Sequence, residues 1–195
     1  NLAFKISGLK WHWSKVLYQS MLKKSGGEKR VKKFSLEKKT LVNAKKIRNL
    51  KTLIFNNFLK KNKLKPRTGV IDIIKYCKKN KIKIGFVTST TKNNVDAVFI
   101  SLNKYIKKRD FDYIGHDKII KNFNNKTDIY LHCLKKLKLS NKNCLAIEDT
   151  EISLKYAKKA KLKCIAFPGD FHRSGKYKDS FIKVRRLNSK IFADL

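Results

Sequence analysis

Leu145-Ala146-Ile147-Glu148-Asp149-Thr150 is a short apolar run that ends in two adjacent acids and a threonine. Such a run is typical of a buried strand in a parallel sheet, and ligands of open α/β sheets bind just beyond the carboxyl ends of these strands. Neighbouring carboxylates raise each other's pKa unless a cation offsets their charge, and Mg²⁺ binds one or two carboxylates together with phosphate oxygens. Glu148 and Asp149 are therefore candidate metal ligands. The alternative is that Asp149 or Thr150 simply caps the next helix.

A second apolar run, residues 82–87, leads into the hydroxyl-rich sequence Thr88-Ser89-Thr90-Thr91. Hydroxyl groups at a strand-to-helix turn form an anion site together with the backbone N–H groups of the helix N-terminus. Residues of this kind are also common as ordinary N-caps. Taken together, the two polar strand ends predict a phosphate held beside a metal, with Thr88 and Ser89 as the phosphate contacts.

The pattern of apolar residues divides the chain into two parts. Up to about residue 64 they recur at helical spacing, and no convincing strand occurs. After Pro66, helical patterns alternate with strand-length apolar runs at residues 82–87, 113–114, 144–147 and 164–167. This order predicts a Rossmann-like, doubly wound parallel sheet of the α/β class. We therefore predict a helical domain over residues 1–64 and an α/β domain over residues 65–195.

The composition restricts the possible partners. The chain carries 49 Lys and Arg against 14 Asp and Glu, a net charge of +35, which raises nucleic acid as a partner. However, the basic residues are scattered along the chain and lysine far outnumbers arginine, so we do not expect specific nucleic-acid binding. No apolar run approaches the roughly 18 residues of a membrane span. The four cysteines form no CxxC pair, which favours a reducing, cytoplasmic setting.

Several short motifs resemble the haloacid dehalogenase superfamily of phosphatases and phosphomutases, and in particular its CbbY-like, β-phosphoglucomutase-related subgroup. The core motifs are residues 88–89 and 147–150, and the sequence PRTGV at residues 66–70 resembles the segment that leads into the core. GLKWHWS at residues 8–14 and GGEKRV at residues 26–31 resemble segments of the helical cap. The resemblance implies Mg²⁺-dependent phosphoryl transfer from a sugar phosphate through an aspartyl-phosphate.

The resemblance also assigns roles to individual residues. It implies that Thr88 is a catalytic phosphate-binding hydroxyl supported by Ser89, and that Glu148 and Asp149 hold Mg²⁺. In the helical cap, it implies that Arg30 and Lys51 contact the substrate.

The third motif of the superfamily supplies a catalytic lysine, but Asn124 occupies the expected position in this chain. We assign the role to Lys126, and Lys121 is a second candidate.

One motif of the superfamily does not occur in the chain. The DxDGT sequence, which carries the nucleophile and the general acid/base, is absent. By the resemblance it would lie just before Asn1, on a central strand. We therefore expect the 195 residues to lack turnover and to expose the edges of two neighbouring strands.

Alternative functions remain open from the sequence alone. The chain is either part of a monomeric sugar-phosphate phosphatase or a degenerate relative that binds phosphorylated ligands without catalysis. A basic nucleic-acid-binding protein is the third possibility.

Overall fold

The computed structural model describes residues 1–22, 26–120 and 124–192. The chain divides into two compact units, Asn1–Lys61 and Asn62–Leu195, a division close to the predicted boundary at residue 64. None of the helices in the described ranges is both long enough and apolar enough to cross a membrane.

Within its described residues, the N-terminal unit contains helices and connecting loops but no strand. Its helices are α1 (Leu2–Ile6), α2 (Lys15–Met21), α3 (Gly27–Glu37) and α4 (Ala44–Lys61). Its core is aromatic, since the rings of Trp11 and Trp13 pack edge-on against Phe4 at centroid distances of 5.4 and 4.9 Å. Both indoles also contact Phe34, at 5.3 and 5.5 Å. The two tryptophans therefore hold the helices of this unit together.

The C-terminal unit alternates helices and strands, as the sequence predicts. The helices are α5 (Val70–Lys79), α6 (Lys92–Leu102), α7 (Lys126–Leu137) and α8 (Glu151–Lys159). The strands are β1 (Gly85–Val87), β2 (Tyr113–Gly115), β3 (Leu145–Glu148), β4 (Lys163–Ala166) and β5 (Ile182–Lys183). The first strand is shorter than its apolar run, because residues 82–84 precede the first paired residue, Gly85.

The strands form two parallel sheets, which confirms the predicted α/β class. One sheet pairs β1 with β2, and the other has the order β3-β4-β5. Within the described residues, β1 and β3 each hydrogen-bond to one neighbouring strand only. The alternating pattern predicts a single sheet, whereas the structure has two, because β1 and β3 do not hydrogen-bond to each other.

Helices cover both faces of the sheets, as expected for a doubly wound fold. On one face, α5 buries Ile73 and Cys77 against Ile165 of β4. On the opposite face, α8 buries Leu154 and Ala157 in a cluster that includes alternate residues of β3 and β4. Successive side chains of a strand point to opposite faces, so this pattern fixes the face on which each strand residue lies.

Two of these helices hold the separate sheets in one unit. From α5, Ile74 packs with the Phe86 side of β1, whereas Ile73 packs on β4. From α7, Cys133 packs beside Tyr113 of β2, and Tyr130 packs beside β3 and β4. The edges of β1 and β3 therefore keep a fixed arrangement across the cavity described below.

Candidate active site

A cavity of about 230 Å³ lies between β1 and β3 in the C-terminal unit. Its walls include the β1 residues 85–87, the β3 residues Ile147 and Glu148, and Asp149 just beyond β3. The remaining lining residues are Arg67, Lys126 and Phe167. The cavity thus collects cationic and acidic side chains at strand ends, where ligands of α/β folds bind.

Two of the charged residues that line the cavity, Lys126 and Glu148, form a buried ion pair. Glu148 follows Ala146 on the face of β3 covered by α7, so its carboxylate is buried. The ammonium group of Lys126 lies 2.6 Å from Glu148 Oε1 and donates a hydrogen bond to it. The hydroxyl of Tyr130, one helical turn further along α7, donates to the same oxygen. Burial, together with the charge of Glu148, raises the pKa of Tyr130, which keeps this hydroxyl a donor.

The start of α7 places Lys126 in this position. Asn125 is the N-cap, and its side chain accepts a hydrogen bond from Thr127 N at 2.9 Å. Asp128 completes the capping box by accepting from Asn125 N at 3.1 Å. The helix therefore begins with Lys126 on the side of β3. Of the two lysines considered in place of Asn124, Lys121 lies outside the described residues.

The hydroxyl-rich turn after β1 begins at the same cavity. Val87 lines the cavity, and the next residue, Thr88, is half-buried and accepts a hydrogen bond from Thr90 N at 3.3 Å. Ser89 is exposed. Among the hydroxyl residues 88–91, Thr91 is the N-cap of α6, and its side chain accepts a hydrogen bond from Asn94 N. Thr88 and Ser89 thus lie between the cavity and a helix N-terminus, and their role as phosphate contacts stays a prediction.

Asp149 has a different environment from its neighbour Glu148. It is exposed, and its backbone carbonyl accepts a hydrogen bond from the hydroxyl of Tyr177 at 2.7 Å. Burial lowers the pKa of the Arg67 guanidinium, whereas the negative charge of Asp149 acts in the opposite direction. Asp149 is therefore an acid at the cavity, beside a cation, and it is not part of the buried ion pair.

Arg67 was not among the residues predicted from the motifs. Its two terminal nitrogens donate to the carbonyl oxygens of Phe167 and Pro168 at 2.6 and 2.7 Å. The guanidinium also stacks on the Phe167 ring at 3.4 Å from the centroid. Arg67 therefore fixes the end of β4 while lining the cavity. Its position in the PRTGV segment was visible in the sequence, but its partners lie about a hundred residues away.

Arg30 and Lys51 belong to the N-terminal unit. Desolvation lowers the pKa of Lys51, and the positive charges of Arg30 and Arg48 lower it further. The Arg30 guanidinium also lies 5.9 Å from the centre of the Tyr18 ring. Three cations thus gather on one unit, an arrangement that an anionic ligand would stabilise.

The cavity suits a metal shared with a substrate better than a metal held by protein alone. Within residues 1–22, 26–120 and 124–192, no three His, Cys, Asp or Glu side chains are grouped as metal ligands. Asp149 offers an exposed carboxylate, whereas Glu148 Oε1 already accepts two hydrogen bonds. Mg²⁺ needs only one or two carboxylates when waters and phosphate oxygens complete its shell. The residues present therefore fit Mg²⁺ only if phosphate oxygens or waters complete its shell, and the role of Glu148 and Asp149 as ligands stays a prediction.

The parallel α/β fold and this cavity agree with the family that the sequence matches. Residues 15–167 match the model of the haloacid dehalogenase-like hydrolases, so the chain belongs to that family. The chain is similar to protein CbbY of Rhodobacter capsulatus, with 27% identity over 192 residues that cover 97% of this chain and 85% of the relative. The resemblance drawn from the motifs is thereby confirmed.

Solved structures show the same fold. The crystal structure of CbbY from Rhodobacter sphaeroides in complex with phosphate superposes with a TM-score of 0.83 at 24% identity, covering 97% of this chain and 86% of that one. A mutant of the same protein in complex with xylulose-(1,5)-bisphosphate gives a TM-score of 0.80 at 25% identity, with coverages of 94% and 83%.

Proposed function

We propose that this chain provides the phosphate- and metal-binding framework of a Mg²⁺-dependent phosphatase that acts on a phosphorylated sugar in the cytoplasm. One observation carries the proposal: Lys126, Glu148 and Asp149 line one cavity with Val87, the residue before Thr88. Membership of the haloacid dehalogenase-like hydrolases supports the proposal. Similarity to CbbY from Rhodobacter sphaeroides, which was crystallised with phosphate and as a mutant with xylulose-(1,5)-bisphosphate, supports a phosphorylated sugar as the substrate class. The four free cysteines are in keeping with a reducing compartment.

In this proposal, each group of the cavity has a separate task. The hydroxyl of Thr88, with Ser89 and the N–H groups of the turn, holds the oxygens of the phosphate. Lys126 offsets the negative charge that spreads over those oxygens during transfer. Asp149, supported by Glu148, would hold Mg²⁺, which supplies further charge neutralisation when bound.

The nucleophile is the remaining requirement. A covalent aspartyl-phosphate needs the Asp of a DxDGT sequence, which residues 1–195 do not contain. The edges of β1 and β3 that face the cavity are compatible with an added parallel strand. We therefore propose that the 195 residues bind phosphate and Mg²⁺ but do not turn over substrate.

We propose that residues 1–64 form the helical cap and that this cap contributes to substrate binding. The cluster of Arg30, Arg48 and Lys51 supports this role, because burial and then the two neighbouring guanidinium charges lower the pKa of Lys51, and a second phosphate group would neutralise those charges. Arg30 and Lys51 are therefore the proposed contacts to the phosphorylated sugar.

Calorimetric titration with inorganic phosphate, in the presence and absence of Mg²⁺, tests the proposal. We expect phosphate binding that strengthens when Mg²⁺ is present, and no release of phosphate from a panel of sugar phosphates. Failure to bind either ligand would contradict the proposed site. Mg²⁺-dependent turnover by residues 1–195 would contradict the missing-nucleophile proposal.

A non-catalytic, phospho-ligand-binding relative is the second candidate. It is favoured by the engagement of Glu148 Oε1 with Lys126 and Tyr130, which leaves that oxygen occupied. A synthetic apolar strand peptide ending in DxDGT separates the two candidates. If it restores Mg²⁺-dependent hydrolysis while a peptide with both Asp changed to Asn does not, the enzyme is favoured. If neither peptide has an effect although phosphate binds, the non-catalytic relative is favoured.

A further inference from the structure

The turn that follows β3 is tied to a distant loop by a buried tyrosine. Tyr177 is only 3% exposed, and its hydroxyl lies 2.7 Å from the backbone oxygen of Asp149. The same hydroxyl lies 3.1 Å from the His172 carbonyl, the longer of its two contacts. The phenol therefore connects the residue proposed to bind metal with the loop between β4 and β5.

The other side of the same turn is tied to that loop by a carboxylate. Glu151 Oε1 accepts hydrogen bonds from the backbone N–H groups of Lys176 and Tyr177, at 3.0 and 3.1 Å. Residues 149 and 151 are thus both attached to the segment around Tyr177. We call these contacts, made by Tyr177 and Glu151, the clasp.

The clasp includes an unfavourable backbone conformation and a tightly packed glycine. Tyr177 has a φ of 48°, in the left-handed region that residues with a Cβ rarely adopt. A Cβ on Gly175 would lie 2.7 Å from Cε2 of Tyr177 and 3.2 Å from the carboxyl group of Glu151, so only glycine fits there. Unfavourable backbone conformations persist where surrounding contacts over-determine them, and they are concentrated at functional sites.

We propose that Tyr177 is a positioning residue that fixes the backbone of the Asp149 turn, and through it the direction of the Asp149 carboxylate. The part that concerns Mg²⁺ rests on the proposed function. Asp149 is exposed and lies just beyond the last residue of β3, so its carboxylate depends on the turn for its direction. Partners that orient metal ligands typically change metal affinity by 10- to 100-fold when they are removed.

Tyr177→Phe tests the clasp, because it removes the hydroxyl and keeps the ring. Tyr76→Phe is the matched control, since Tyr76 stacks on Phe192 with ring centroids 5.0 Å apart and is not part of the clasp. The first readout is amide hydrogen exchange at Ser153 and Leu154 in the first turn of α8, whose N–H groups donate to Thr150, the N-cap residue next to Asp149. We expect faster exchange there in Tyr177→Phe and no change in Tyr76→Phe.

The second readout is the dissociation constant for Mg²⁺, measured by calorimetry beside that for phosphate in the absence of Mg²⁺. We expect Tyr177→Phe to weaken Mg²⁺ binding by about tenfold while phosphate binding stays at the wild-type value, a difference that general loosening would not produce. Glu151→Ala cuts the clasp from the other side and serves if Tyr177→Phe fails to fold.

The two readouts separate this inference from the proposed function. Unchanged exchange at Ser153 and Leu154 in both clasp variants would overturn the positioning role. If the wild-type chain binds no Mg²⁺, the proposed function of Asp149 fails, whereas the exchange data still decide whether Tyr177 fixes the turn.

Discussion

The Lys126 ammonium group lies 2.6 Å from Glu148 Oε1, and both side chains are largely buried, with exposures of 12% and 6%. A lysine at the first residue of α7 thus reaches the last residue of β3. Each charge compensates the other in a place where water is scarce. A substitution of either residue should therefore change both the stability of the fold and the net charge of the cavity.

Lys126→Ala should destabilise the fold and weaken phosphate binding. Removing one partner leaves a buried carboxylate without its counter-charge, and breaking such a pair costs about 3 kcal/mol. Urea unfolding at pH 7 gives the loss of stability, and phosphate titration gives the loss of affinity. Lys135→Ala, at an exposed position of the same helix, is the control. Equal effects of the two substitutions would show that the ion pair contributes nothing special.

Removing both charges should separate stability from ligand binding. Lys126→Met combined with Glu148→Gln leaves no uncompensated charge and keeps an acceptor for the Tyr130 hydroxyl. Replacing a buried pair by neutral groups is often close to neutral, so we expect stability within about 1 kcal/mol of the wild type. Phosphate affinity should stay low, because the positive charge is gone. Recovery of wild-type phosphate affinity in this double variant would rule out the role proposed for Lys126.

Much of the C-terminal unit could be predicted from the sequence because its signals are local. The capping hydroxyl of Thr91 and the apolar runs of β1 and β3 each depend on residues a few positions apart. The two candidate strand ends were also visible, since an apolar run that stops at polar residues marks the carboxyl edge of a sheet. Such features need no knowledge of what packs where.

The missed contacts depend on packing between distant segments. Tyr177 and Asp149 are 28 residues apart, and no periodic pattern connects them. Lys126 and Tyr130 are an intermediate case: their spacing of four places them on one face of α7, but only the packing of α7 on β3 shows that this face meets Glu148. The division of the sheet between β1 and β3 is likewise a property of strand pairing.

The stability of the fold should fall as the pH rises above about 9. Burial raises the pKa of the Cys164 thiol from its ordinary value of 9.0 to about 12, with the charge of Glu148 acting in the same direction. The folded-state pKa lies above the unfolded one, so the contribution is complete below pH 9 and is lost as the pH rises towards 12. One such thiol contributes a slope of up to about 1.4 kcal/mol per pH unit.

Cys164→Ala isolates this contribution. The variant should be less stable than the wild type at pH 7, because a small cavity replaces the thiol, but its stability should depend less steeply on pH between 9 and 11. Urea unfolding at several pH values under reducing conditions measures both effects. Identical slopes for the variant and the wild type would mean that Cys164 does not titrate on unfolding.

Lys138→Gly should stabilise the protein, because the lysine occupies a backbone conformation that favours glycine. Lys138 is the C-cap of α7, with φ at 55° and ψ at 45°, in the left-handed region. The N–H of Leu139 donates to Leu134 O at 3.0 Å, which closes the end of the helix and holds Lys138 in that conformation. A residue with a Cβ pays about 1 kcal/mol there, and glycine does not. We therefore expect a higher midpoint of thermal unfolding for Lys138→Gly.

The opposite result is expected for Lys135→Gly, which places glycine inside the same helix and should cost about 1 kcal/mol. A lower midpoint for Lys138→Gly would mean that the flexibility that glycine adds to the unfolded chain outweighs the relief of strain at this cap.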